Sequence, residues 1–402
     1  MAASTDNARM TSMPAPLASQ WVHIQYQEPS AFTETYGYSG SQGAVNLEGL
    51  LLRPHDLPSK TLMVFMHPAS TLQLLPFPRA LAESGAHVLC AASRYARNDT
   101  ALIMEKVLLD LGAYIRHART VWGYRHVVLV GWSGGGSLAA FYQAQAEAPT
   151  ITHTPAGDPV NIVGAGLIPA DALVYQAAHL SRGHLLCDAI DPSVTNERDP
   201  DDRDPTLDLY DPANPDQPPY SAEFIARYRA AQLARMRRIT AWAKALLAEL
   251  HGRDTGEMER SFIVHRTLAD PRFLDPALDP NDRKPRWCYL GNPETVNSGP
   301  VGLARFTTLR SWLSQWSIDD ARGDALACAG HIQAPLLVIE NGADDGVPQP
   351  HPRLFHDAAV SADKCFHIIR GATHYYAGQP VQLAEAVALI RGWLAERGLL
   401  EA

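Results

Sequence analysis

Apolar positions along the chain switch between two periods. From Trp21 the side chains alternate as a half-buried strand requires (Trp21–Tyr26). A second strand reads at Leu47–Pro54. Thr61–Met66 is continuously apolar, as in a strand buried on both faces. A helix over Leu75–Ser84 and a strand over Ala86–Ala92 follow. Ile103, Val107, Leu111, Tyr114 and Ile115 then recur at helical spacing, with Asp99 placed to cap that helix. His126–Val130 predicts a strand, Gly136–Tyr142 a helix, and Ala172–Ala178 a further strand. Strands alternating with helices at this spacing predict βαβ units and a mostly parallel sheet, an α/β architecture.

The rhythm breaks after His179. Residues 188 to 216 hold ten acidic and two basic residues with five prolines, which reads as a solvated surface excursion. Ser221 caps a long helical pattern reaching about His251, with Arg227, Arg235, Arg238 and Lys244 largely off its apolar face. Residues 268 to 300 are again rich in Pro, Asp and Asn, and a helix carrying Leu309, Trp312, Leu313 and Trp316 closes the excursion. The two tryptophans read as core. Strand patterns resume at Pro335–Ile339 and Cys365–Ile369, with helices over 353–359 and 380–397. The simplest organisation is a core of residues 21–180 and 331–402, with 181–330 inserted as a cap over the carboxyl ends of the strands, where open α/β sheets bind ligands. Residues 1–20, rich in Ala, Ser, Thr and Pro, read as a disordered tail without a secretory pattern.

A net charge of −9 argues against nucleic acid as a partner. Five widely spaced cysteines without a C-x-x-C pair argue against a disulfide framework or a zinc site, and a reducing cytoplasm is the expected setting. No window approaches the length of apolar sequence that spans a bilayer. The acidic run lacks the spaced pattern of a calcium loop. No metal or other cofactor is expected.

The chemistry concentrates in Gly131-Trp132-Ser133-Gly134-Gly135, a G-x-S-x-G between a strand and a helix. A serine at so sharp a turn takes a strained backbone, its neighbours must be small, and the N–H groups of the helix N-terminus lie beneath it. A nucleophilic serine needs a base and a group to orient that base. Asn341-Gly342-Ala343-Asp344-Asp345-Gly346-Val347-Pro348 follows one late strand and Arg370-Gly371-Ala372-Thr373-His374-Tyr375-Tyr376 the next.

The elbow, the A-D-D-G-V-P segment and the G-A-T-H-Y-Y segment together resemble the α/β-hydrolase superfamily over about 230 residues of the core. The central region resembles the capped region of bacterial members and implies no activity of its own. By this resemblance Ser133 is the nucleophile, His374 the base and Asp344 the acid, chosen because Pro348 follows it by four residues; counting from Gly342 favours Asp345 instead. The superfamily's usual glycine is replaced by Asn341. The resemblance places the oxyanion donors on the N–H groups of Gly134 and of Ala69, in the loop His67-Pro68-Ala69-Ser70, where Pro68 has no N–H and Ser70 is the alternative. His67 and His179 read as structural histidines. The implied activity is a serine hydrolase acting on an ester, lactone or thioester of a hydrophobic small molecule, of carboxylesterase or lactonase type. An amide or C–C hydrolase on the same triad, and a binding protein that has lost turnover, are the alternatives. A homodimer through the cap remains open.

Overall fold

The computed structural model describes residues 16–28, 43–253 and 255–400. The strands and helices of the core follow in the order β1 (Leu17–Gln27), β2 (Ala44–Pro54), β3 (Thr61–His67), α1 (Pro76–Glu83), β4 (His87–Ala92), α2 (Met104–Thr120), β5 (His126–Trp132), α3 (Gly134–Glu147) and β6 (Ala172–Gln176). They form an eight-stranded sheet with two late strands, β11 (Leu336–Asn341) and β12 (Lys364–Ile369), in the order β1-β2-β4-β3-β5-β6-β11-β12. Only β2 runs against the others: it pairs antiparallel with β1 and β4, and every other pairing is parallel. The central strands β3, β4, β5 and β6 are buried almost throughout, which explains their unbroken apolar runs. One face is covered by α2 and α3, and the other by α1 and the last helix.

The chain between β6 and the late strands carries α4 (Arg182–Ala189), β7 (Val194–Asn196), β8 (Asp199–Arg203), α5 (Ala222–Gly252), β9 (Ser261–Ile263), α6 (Pro293–Ser298), β10 (Phe306–Thr308), α7 (Leu309–Ser311) and α8 (Ala325–Cys328). β7 pairs with β8, and β9 with β10. The core closes with β11 (Leu336–Asn341), α9 (His351–Ala358), β12 (Lys364–Ile369) and α10 (Pro380–Glu396). Ala325, Cys328 and Ala329 already pack in the main core, so the core resumes before residue 331. Trp312 and Trp316 are buried in the insertion's own apolar cluster, on a π-helical turn that extends α7.

Four local expectations are corrected. The strand β1 begins at Leu17, four residues inside the expected tail; residues 1–15 lie outside the described residues. Asp99 does not cap α2. That helix begins at Met104 without a side-chain cap, and the Asp99 carboxylate instead pairs with Arg182 of the insertion. Ser221 does cap α5, accepting from the Phe224 N–H at 3.1 Å. The acidic run is not simply solvated. Asp191 and Asp208, both buried, clamp the Arg266 guanidinium at 2.6 and 2.8 Å, and Arg272 joins Asp188 to the buried Asp270 at 2.6 and 2.5 Å. Nor is the basic face of α5 wholly exposed: Arg235 is 1% exposed and binds Glu197 at 2.7 Å. Opposite charges from distant parts of the insertion meet to hold it together, a pairing that local polarity does not show.

Among the described residues no helix is long and apolar enough to cross a membrane. No cluster of His, Cys, Asp or Glu there has the arrangement of a metal site.

Candidate active site

Ser133 stands between β5 and α3 with φ 56° and ψ −126°, in the strained region that a sharp strand-to-helix turn imposes. The glycines around it are sterically required. A Cβ on Gly131 would fall 2.5 Å from Gly136 Cα, and one on Gly135 would fall 2.4 Å from the Met66 carbonyl oxygen. The Gly134 N–H heads α3 and has no acceptor within the helix. The helix dipole and this N–H therefore favour negative charge beside Ser133.

Asp344 and His374 lie beyond the carboxyl ends of β11 and β12. Both are buried, and His374 Nδ1 lies 2.9 Å from Asp344 Oδ1 and 3.2 Å from Oδ2. The same carboxylate accepts from the N–H groups of Gly346 (2.8 Å) and Val347 (2.7 Å), which fixes it as an acceptor facing the ring. Asp345 does something different: its Oδ1 accepts from the His374 backbone N–H at 3.1 Å. Of the two candidates, only Asp344 addresses the imidazole.

His374 is tied to the elbow through Trp132. The indole N–H donates to the His374 carbonyl at 3.0 Å, and the two rings lie 4.5 Å apart. Among the described residues no hydrogen bond joins the Ser133 hydroxyl to the His374 ring; contacts of this kind commonly close only with substrate in place. Asn341, standing where a glycine is usual, has a definite job. Its amide donates to the Thr373 carbonyl (2.8 Å) and accepts from Gln176 (3.1 Å) and from the Tyr376 hydroxyl (2.9 Å). It thus binds the loop bearing His374 to the central sheet.

The insertion reaches the same corner. Asp282 N–H donates to the Gly342 carbonyl, Arg283 Nη1 to the Asp344 carbonyl, and Tyr289 N–H to the Asp345 carbonyl, at 3.1, 3.1 and 2.8 Å. The Tyr289 ring lies 6.1 Å from that of His374. A groove of about 860 Å³ also opens on the insertion, lined by Trp242, Phe262, Ile263 and Phe306 among others, but none of Ser133, Asp344 and His374 lines it.

The loop after β3 departs from expectation. The Ala69 N–H is occupied: it donates to His67 Nδ1 at 3.1 Å, and the alternative, the Ser70 N–H, donates to the same nitrogen at 2.9 Å. His67 and His179, read from the sequence as structural, press on the elbow. A Cβ on Gly134 would meet His67 Nε2 at 2.7 Å and His179 Nε2 at 3.3 Å. Burial, with Arg182 and His374 nearby, pushes the His67 pKa down to about 3, and burial lowers that of His179 as well. The available signal for His67 was its position at the end of β3, directly before a proline.

The strand order, the single reversed strand and the serine elbow define the α/β-hydrolase fold. No protein-family model matches the sequence, and no curated protein matches it. Solved structures similar to this chain include Est1E from Butyrivibrio proteoclasticus, at 13% identity, with 88% of this chain and 94% of that one covered and a TM-score of 0.44. A brefeldin A esterase, described as a bacterial homologue of human hormone-sensitive lipase, has 13% identity, coverage of 99% and 80%, and a TM-score of 0.44. A monoacylglycerol lipase of Paleococcus ferrophilus has 14% identity, coverage of 94% and 99%, and a TM-score of 0.42. Likenesses this loose carry no chemistry across, so the functional reading rests on the site itself.

Proposed function

We propose that the protein is a serine hydrolase that cleaves a carboxylic ester, lactone or thioester of a hydrophobic small molecule through an acyl-enzyme. The observation that carries this reading is the buried Asp344–His374 pair, held by Trp132 against the strained elbow that presents Ser133. In the proposed reaction Ser133 Oγ attacks the carbonyl carbon while its proton passes to His374 Nε2. The carbonyl π pair moves onto oxygen, where the Gly134 N–H stabilises it. Asp344 holds the His374 tautomer and stabilises the imidazolium without taking its proton. Collapse expels the leaving group, which receives the proton from His374. Water deprotonated by the same ring then releases the acid.

The test is turnover of a panel of p-nitrophenyl esters, lactones and acyl thioesters by the full chain. Hydrolysis of at least one member, abolished in Ser133→Ala, is the expected result. No turnover of any member, or equal turnover by Ser133→Ala, overturns the reading.

A further inference from the structure

The donor expected on Ala69 is spent on His67, and this leaves the oxyanion with one N–H from the elbow. The side chain that spends it is the replacement. His67 Nδ1 accepts two backbone N–H groups, from Ala69 and Ser70, so it carries no proton. The neutral ring therefore holds its proton on Nε2. That nitrogen has no hydrogen-bond partner among the described residues. It lies 2.7 Å from where a Cβ of Gly134 would sit, on the residue whose N–H is the first oxyanion donor.

We propose that His67 is a catalytic residue of this site, its Nε2–H supplying the second oxyanion-hole donor in place of a backbone N–H. The inference rests on the serine-hydrolase reading. When the Ser133 Oγ–carbon bond forms and the C=O π pair moves to oxygen, that oxygen accepts from Gly134 N–H and from His67 Nε2–H; both bonds are released when the pair re-forms C=O and the leaving group departs. His67 donates without being deprotonated, so it needs no titration. Its ring is preorganised by the two N–H groups behind it, as an oxyanion donor must be. The arrangement also explains Pro68. A loop that folds back on its own histidine has no need of an N–H at that position. His179 is the competitor beside Gly134, but its Nδ1 is buried without a hydrogen-bond partner, so no hydrogen bond there fixes the proton on its Nε2.

Two substitutions separate donation from loop support. In His67→Gln the amide N–H₂ reaches the Nε2 position and keeps the donor. In His67→Asn the carboxamide oxygen stands at the Nδ1 position, keeping the acceptor for the Ala69 and Ser70 N–H groups while removing the donor. With p-nitrophenyl butyrate, kcat of His67→Asn is expected to fall about 10²–10³-fold with KM little changed, the loss typical of one oxyanion donor. His67→Gln is expected to stay at least about tenfold above His67→Asn. Melting curves establish that both variants are folded. Gln no better than Asn in folded protein, or Asn equal to wild type, overturns the proposal while wild type still turns over the ester. If wild type neither hydrolyses the ester nor reacts with a fluorophosphonate, the serine-hydrolase reading itself has failed.

Discussion

Replacing Gly346 by alanine puts a methyl carbon 2.8 Å from both Cδ2 and Cγ of the His374 ring and 3.0 Å from its Nδ1. Ordinary contact begins at 3.4 Å, so a ring packed on this carbon must retreat by roughly half an ångström. It cannot do so freely. Nδ1 is held by Asp344 on one side, and the indole of Trp132 lies tilted against the ring, 4.5 Å away. The Gly346 N–H also donates to Asp344, so a shift of the backbone moves the carboxylate as well. Since an ångström of misplacement costs about 100-fold in rate, Gly346→Ala is expected to lower kcat about 10–100-fold and to raise KM little. Overpacking should also destabilise the fold by about 1–3 kcal/mol. The assay is steady-state ester hydrolysis beside a thermal melt. Gly392→Ala, in the middle of α10 with open space at its Cβ, is the control, expected to keep full activity and gain about 0.5–1 kcal/mol. Wild-type kcat in Gly346→Ala would show that the position of the His374 ring does not limit catalysis.

The other expectations concern the acid, the buried histidine and the insertion. Asp344→Asn should cost about 10⁴-fold in kcat, by analogy with loss of a triad acid, whereas Asp345→Asn, which disturbs only a backbone contact, should cost far less; a larger loss at Asp345 in kinetic assays reverses the assignment. His67 has its pKa pushed from the ordinary 6.5 to about 3, so the unfolded chain binds its proton more readily than the folded one. That stabilisation is complete above pH 6.5 and is lost as pH falls from there towards 3, so the melting temperature should drop on acidification through this window, less steeply in His67→Gln. Arg272→Met leaves the buried carboxylate of Asp270 with Arg229 alone, and Asp188 with Arg229 and His351, so chemical denaturation should show a loss of about 1–3 kcal/mol; an unchanged stability contradicts the clamp.

The parts of the fold that the sequence made legible are those whose signal is local. Thr61–His67 and His126–Trp132 are buried on both faces and read as unbroken apolar runs. The elbow reads because its glycines answer contacts within a few residues, as Gly131 against Gly136 does. Turn spacing favours Asp344 over Asp345, and the Asp344 carboxylate lies 2.9 Å from the His374 ring. What stayed hidden depends on distant partners. Asp99 looked like a cap because Arg182, which claims it, lies 83 residues away. Asp191 and Asp208 looked solvated because Arg266 lies 75 and 58 residues away from them. His67 was set aside because no pattern records that two N–H groups of its own loop turn back on one ring nitrogen.

The proposed chemistry begins with Ser133 as the nucleophile. Incubation of the full chain with a fluorophosphonate, followed by peptide mass mapping, tests it most directly. One adduct is expected, on Ser133, formed by wild type and absent from Ser133→Ala. An unmodified wild type, or an adduct that persists in Ser133→Ala, would contradict it.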